Sequence, residues 1–139
     1  MNRSFWAWIM CLVILLIPTV SLAAEIDQDV LIQSGEIITK ASSSIAVSSS
    51  TITGTAITYA NKTCSKLGAL FELQKWTGSG WTTVKSASLY LSSVISSTVR
   101  VSFNAGSGTY RIKATHRAYD GNVIRSSRVT YTPSVVSPS

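Results

Sequence analysis

Apolar and polar residues alternate along most of this chain, and no stretch after residue 23 sustains a helical repeat. A period of two over short runs, broken by Gly, Ser and Asn, is the pattern of half-buried β-strands. The first strand is expected within residues 37–48, with Ile45 and Val47 facing in. A second runs from Ile52 to Tyr59. The stretch ANKTCSKLG (60–68) reads as a loop. A third strand is ALFELQKW (69–76), with Ala69, Phe71 and Leu73 on one face, and a fourth is WTTVKSA (81–87). After the loosely patterned SLYLSSVISS comes a fifth, TVRVSF (98–103), with Val99, Val101 and Phe103 inward and Arg100 outward. In the sixth, TYRIKATHRAY (109–119), Tyr110, Ile112, Ala114 and Ala118 face one way and Arg111, Lys113 and Arg117 the other. DGN (120–122) is a hairpin turn, and VIRSSRVTYT (123–132) is the seventh strand. Seven strands at this spacing predict an all-β, two-sheet sandwich of immunoglobulin or fibronectin type III kind. PSVVSPS (133–139) reads as a flexible tail.

The N-terminus follows a different pattern. Arg3 precedes a continuous apolar run, FWAWIMCLVILLI (5–17), then Pro18 and S-L-A-A. The run is shorter than the ~20 residues needed to span a bilayer. A basic start, a short apolar core and small residues at the end predict a secretory signal peptide over 1–23, cleaved after Ala23; an uncleaved anchor is the alternative. Residues 24–36 then form an acidic arm, 37–132 the sandwich and 133–139 the tail. The expected location is extracellular, with the protein free or held at a cell surface, and without stable membrane insertion after cleavage. Loss of residues 1–23 removes Cys11. Cys64 is left without an intrachain partner, so the domain must hold by packing and hydrogen bonds. A monomer with an inert Cys64 is expected; a Cys64-linked dimer is the other reading.

The formal charge of +6 hides an asymmetry. Glu25, Asp27, Asp29 and Glu36 precede Lys40, whereas every Lys and Arg except Arg3 lies from Lys40 onward, against only Glu72 and Asp120. A basic body attracts anionic partners. The acidic arm has the charge to lie over that body and occlude it, and it also reads as a loose leader.

Three stretches carry a resemblance: Leu73-Gln74-Lys75, Gly80-Trp81-Thr82-Thr83-Val84 and Gly108-Thr109-Tyr110-Arg111-Ile112-Lys113. Tyr110, after a Gly-rich bend at the start of the next-to-last strand, stands where such sandwiches keep a tyrosine corner. Over residues 40–132 the chain resembles small secreted Ig-like sandwiches of Gram-positive bacteria, and the Ig-like and fibronectin-like modules of larger bacterial surface proteins. The resemblance implies architecture and supplies no site residues.

Chemistry enters through the hairpin LQKWTGSGWTTV (73–84). A tight turn on Gly78-Ser79, with Gly first, suits a type II′ hairpin. It pairs Trp76 with Trp81, Gln74 with Thr83 and Glu72 with Lys85 on one side, and Lys75 with Thr82, Leu73 with Val84 and Phe71 with Ser86 on the other. Leu73 and Val84 then face the core, and the tryptophans face solvent with Glu72 and Lys85. These strands are expected to share a sheet with strands six and seven, where Val129 and Tyr131 point in and Arg128 points out. The candidate ligand-binding face is therefore Trp76, Trp81, Lys85, Arg111, Lys113, Arg117 and Arg128. Cations neutralise anionic groups and flat rings stack on sugars or bases. The bland alternative is that Arg and Lys stems cover the rings and keep the face soluble.

Catalysis is not expected. His116 is the sole histidine, on the inward phase of its strand. Glu72 and Asp120 have no predicted carboxylate partner, which glycoside hydrolysis generally needs. No motif brings Cys64 to His116. One Cys and one His make no metal site, no Gly-rich loop opens a helix to cradle phosphate, and no cofactor is implied. Asn61-Lys62-Thr63 is a glycosylation sequon, relevant only in a eukaryotic host. The expected role is a binding module for an anionic wall polymer or polysaccharide, without nucleic acid as a partner. The alternative is a secreted antimicrobial or inhibitory effector.

Overall fold

In the computed structural model residues 36–138 are described; the signal peptide over 1–23 and all of the acidic arm except Glu36 lie outside them. The described chain is all-β and antiparallel. Its strands are β1 (Ile38–Ser48), β2 (Thr51–Trp76), β3 (Trp81–Asn104), β4 (Gly108–Asp120), β5 (Val123–Tyr131) and β6 (Val135–Ser137). The sheet runs β1-β2-β4-β5, with β3 also on β2 and β6 on β4.

Two of these strands are far longer than expected. The predicted second and third strands are one 26-residue strand, and the fourth and fifth are one 24-residue strand. The supposed loop ANKTCSKLG is strand throughout. Its pairing with β3 is irregular only between Tyr59 and Cys64. The chain bends there without breaking, because Cys64 and Leu67 are buried against Ile37, Ile38 and Ala118. Opposite the bend, Ser93 takes a φ of 56°. Such a left-handed residue turns the backbone sharply.

The bend divides β2 into two working halves. The first pairs with β1 and with the second half of β3, and the other pairs with β4 and with the first half of β3. The sheet thus curls around its own apolar side. Ile52 and Ala56 from the first half of β2 meet Phe71 and Leu73 from the second, with Val99, Val101, Phe103 and Ile112. Burying each large side chain contributes roughly 1.5–3 kcal/mol. Gly54 leaves room for this core, since a Cβ there would stand 3.2 Å from Phe71 Cδ1 and closer still to Ile112 Cδ1 of β4. Tyr110 is buried in this core. Ile45 packs on it from β1, but Val47, expected inside, is exposed at the strand's end. The tail is likewise ordered into the fold, with Val135–Ser137 paired to Gly108–Tyr110.

Curling brings β1 against β5, and side chains join the two. Ile38 N donates to Ser126 Oγ at 3.2 Å, and Thr130 Oγ1 donates to Ser43 Oγ at 2.8 Å. Arg128 pairs with Glu36 at 3.6 Å. His116 completes the seam from β4. It is fully buried, with Nδ1 2.7 Å from Thr58 Oγ1 and Nε2 2.8 Å from Thr130 Oγ1. Because Thr130 spends its proton on Ser43, it accepts from Nε2–H, and Thr58 donates to Nδ1. A chain of hydrogen bonds therefore runs Thr58–His116–Thr130–Ser43, linking β2, β4, β5 and β1.

The hairpin reverses where expected, at Gly78-Ser79, with Gly80 N donating to Thr77 Oγ1, and then departs from the expected register. Gly78 has a φ of 98°, Thr77 N donates to Gly80 O at 2.9 Å, and the three pairs nearest the turn are as expected. Between Leu73 and Gln74 the register shifts by one, so Leu73 faces Lys85, Glu72 faces Ser86 and Phe71 faces Ala87. Val84 is the extra residue and is 41% exposed. The reason is a conflict of phase. The turn demands one register, but Ala87, Leu89 and Leu91 reach the core only in the next; without the bulge, Ser86 and Ser88 would take their places. Truncating Val84 to Ala is accordingly expected to change unfolding free energy by less than ~0.5 kcal/mol. A loss above ~1 kcal/mol in denaturant melts would place Val84 in the core, opposite Leu73.

Candidate functional site

The site is the outer side of the sheet formed by the first half of β3, the second half of β2, β4 and β5. Along β2 the apolar Leu73, Phe71 and Ala69 point to the core, so Trp76, Gln74, Glu72, Leu70 and Lys66 point outward. The antiparallel register sets Arg111 beside Gln74, Lys113 beside Glu72, Arg117 beside Gly68 and Tyr119 beside Lys66.

At the hairpin end the two tryptophans stand edge to face, with centroids 5.3 Å apart. Trp76 is 43% exposed. The Arg111 guanidinium lies 4.6 Å from the Trp81 ring and 4.4 Å from the Tyr131 ring, a double cation–π contact. Arg111 Nε donates to Gln74 Oε1 at 2.8 Å, which fixes the plane of the guanidinium. No carboxylate pairs with it among the described residues. Next along the face, Lys113 Nζ is 3.7 Å from the buried Glu72 carboxylate, and Thr83 Oγ1 lies 3.5 Å from the other Glu72 oxygen.

Of the predicted site residues, Trp76, Trp81, Arg111 and Lys113 come together. Arg117 shares the face but lies toward its other end and is largely buried. Lys85 does not join them. Beyond the bulge it falls on the side of Leu73, and its Nζ donates to the Asn104 carbonyl. Arg128 is also on the opposite side, facing Glu36 and β1. A second bulge, between Ala118 and Tyr119, reverses the expected phase of β5. That phase carries Ser126 and Thr130 to the seam, where their hydroxyls bond Ile38 and His116, and sends Val129 and Tyr131 outward. Tyr131 is thus a site residue that the sequence concealed, as is Lys66, hidden in what reads as a loop.

A second cluster occupies the far end of the same face. Tyr90 and Tyr119 meet edge to face with centroids 5.3 Å apart, and Lys66 Nζ stands 4.4 Å over the Tyr119 ring. Arg117 Nη1 donates to Tyr90 Oη at 3.4 Å. Burial pushes the Tyr90 phenol above its ordinary range, so it stays protonated.

His116 is enclosed by its threonines, and burial lowers its pKa from 6.5 to about 4. Cys64 is buried, and that burial raises its pKa and disfavours the nucleophilic thiolate. Glu72 is held by Lys113, and Asp120 lies 3.7 Å from Arg125. Among the described residues no three His, Cys, Asp or Glu side chains are grouped to hold a metal, and no helix is long and apolar enough to cross a membrane.

No protein-family model matches the sequence, and no curated protein matches it. Among solved structures, a selenomethionine-labelled β-glucosidase from Kluyveromyces marxianus aligns with 70% of this chain at 10% identity and a TM-score of 0.35. The chain spans 15% of that enzyme's length. A likeness at this level carries no argument about activity.

Proposed function

We propose that this protein is a secreted, non-enzymatic binding module whose curled sheet is an immunoglobulin- or fibronectin-like sandwich, and that it holds an anionic polymer or glycan on its outer Trp/Arg/Lys face. The observation that carries the reading is Arg111, held between Trp81 and Tyr131 with Trp76 exposed alongside. Three rings and an oriented guanidinium with no carboxylate partner among the described residues offer stacking surface and positive charge together. Covering the rings for solubility would require neither the Gln74 bond that orients Arg111 nor the exposure of Trp76 and Tyr131. Lys113 adds charge beside them, partly offset by Glu72.

Sedimentation with purified cell-wall fractions tests this. The wild-type protein should be retained and released by salt, because its contacts with anionic groups are screened. Trp76→Ala/Trp81→Ala and Arg111→Ala/Lys113→Ala should each weaken retention about tenfold or more, given ~1–3 kcal/mol per stacked ring. Equal retention of all three proteins would reject the binding face.

A further inference from the structure

Positive charge at the hairpin end of the face is oriented but not neutralised. Glu72 is engaged by Lys113 at one carboxylate oxygen and by Thr83 at the other. Thr83 Oγ1 in turn accepts from Gln74 Nε2 at 3.4 Å, which turns Gln74 Oε1 toward Arg111 Nε. The chain Glu72–Thr83–Gln74 thus fixes Arg111 through a neutral amide. Among the described residues neither Nη atom of Arg111 has a hydrogen-bond acceptor, and neither is closed off from solvent. A guanidinium presents such nitrogens as a planar fork that matches a carboxylate. Trp76 stands close by and is exposed, and among the described residues no cation lies over its ring. Trp81 touches both groups, with its ring centre 5.3 Å from that of Trp76 and 4.6 Å from the guanidinium.

We infer that this end of the face recognises a single carboxylate-bearing sugar residue, a hexuronate, whose carboxylate lies in the Arg111 fork while its pyranose ring rests on Trp76. This rests on the proposed binding face and names the chemical group that the face reads. Charge and shape both favour a carboxylate. Lys113 is engaged by Glu72, so Arg111 offers one uncommitted positive charge. A carboxylate carries one negative charge in a plane, whereas a phosphate monoester carries up to two. The sugar ring supplies the other half of the match, because its C–H face suits the negative face of an indole. Since Trp81 touches both Trp76 and Arg111, one pyranose and its own carboxylate span the two, and a short uronate oligomer contains everything the site reads. A glycerol phosphate polymer carries the same single charge per unit but has no pyranose ring for Trp76.

The experiment titrates the chain beginning at Ala24, which contains every described residue, with trigalacturonate, its uncharged methyl ester and poly(glycerol phosphate). Trigalacturonate should bind, and the ester should bind at least about tenfold more weakly, because charge-assisted hydrogen bonds are lost. Arg111→Lys keeps the charge but not the fork. It should weaken trigalacturonate about tenfold and leave the ester unchanged, whereas Trp76→Ala should weaken both sugars. Circular dichroism should show each variant folded. If the ester binds like the acid, or if Arg111→Lys binds the acid like wild type, the carboxylate fork is wrong and the proposed face stands as a less selective surface. If poly(glycerol phosphate) binds more tightly per charge than trigalacturonate, the hexuronate assignment is wrong and the face stands as a site for another anionic polymer. If none of the three ligands binds, the proposed binding face falls as well.

Discussion

Lowering the pH from 7 to 4 is expected to remove about 3 kcal/mol of folding stability through His116 alone. Its pKa is lowered from 6.5 to about 4 by burial in the seam between β1, β4 and β5, and each unit is ~1.36 kcal/mol. Above pH 6.5 the imidazole is neutral in both folded and unfolded chains, and its contribution is fully present. As the pH falls below 6.5 the unfolded chain takes up a proton that the folded chain refuses. Stability then declines until the pH falls below about 4, where both forms are protonated. Protonation is resisted because the charged ring would have to be held away from water. Denaturant melts at stepped pH measure the effect. His116→Gln should be less stable at pH 7 and should lose the extra slope between pH 6.5 and 4, leaving only what the carboxylates contribute. An unchanged slope in that variant would show that the seam does not depend on His116.

Adding one methyl group at Gly68 is expected to cost ~3 kcal/mol or more, a large share of the ~5–15 kcal/mol that holds a domain folded. A Cβ at this position would lie 2.1 Å from the Leu89 carbonyl oxygen and 2.7 Å from Tyr90 Cα. Both are backbone atoms of the paired strand, so no rotamer change can relieve the clash. Gly68→Ala must push β3 away from β2 where the sheet begins to curl. Thermal and denaturant melts should show a large loss of stability or a chain that does not fold. Wild-type stability in Gly68→Ala would mean that the strands are not so close at the bend.

The strands were legible where alternation is clean, as in Val99–Phe103 and Tyr110–Ala118. There a period of two reports the buried face directly. What sequence hides is where one strand's phase changes. Val84 alternates correctly with the turn, and Ala87 with the core; only the paired structure shows that a bulge reconciles them. The same holds in β5, where Val129 and Tyr131 are the more apolar residues and yet face outward. Hydroxyls on Ser126 and Thr130 are needed at the seam, and their partners, Ile38 and His116, are remote in sequence. Asn61, Gly68 and the polar run between them resemble a loop, although buried Cys64 and Leu67 carry the strand through the bend. The candidate site was accordingly half legible. Trp76, Trp81, Arg111 and Lys113 lie on the turn side of the bulge or on regular β4. Lys85, Arg128 and Tyr131 lie beyond bulges, where alternation counted from the turn no longer reports the face, and Lys66 lies in a stretch that reads as a loop.

Tryptophan fluorescence tests the binding face most directly. In the chain beginning at Ala24, Trp76 and Trp81 are the only tryptophans, so all indole emission comes from the hairpin end of that face. Titration with polygalacturonate should produce a saturable change in emission that salt reverses and that Arg111→Ala/Lys113→Ala abolishes. Emission unaffected by the acidic polymer, or changed equally by a neutral polysaccharide and insensitive to salt, would contradict a cation–aromatic binding face.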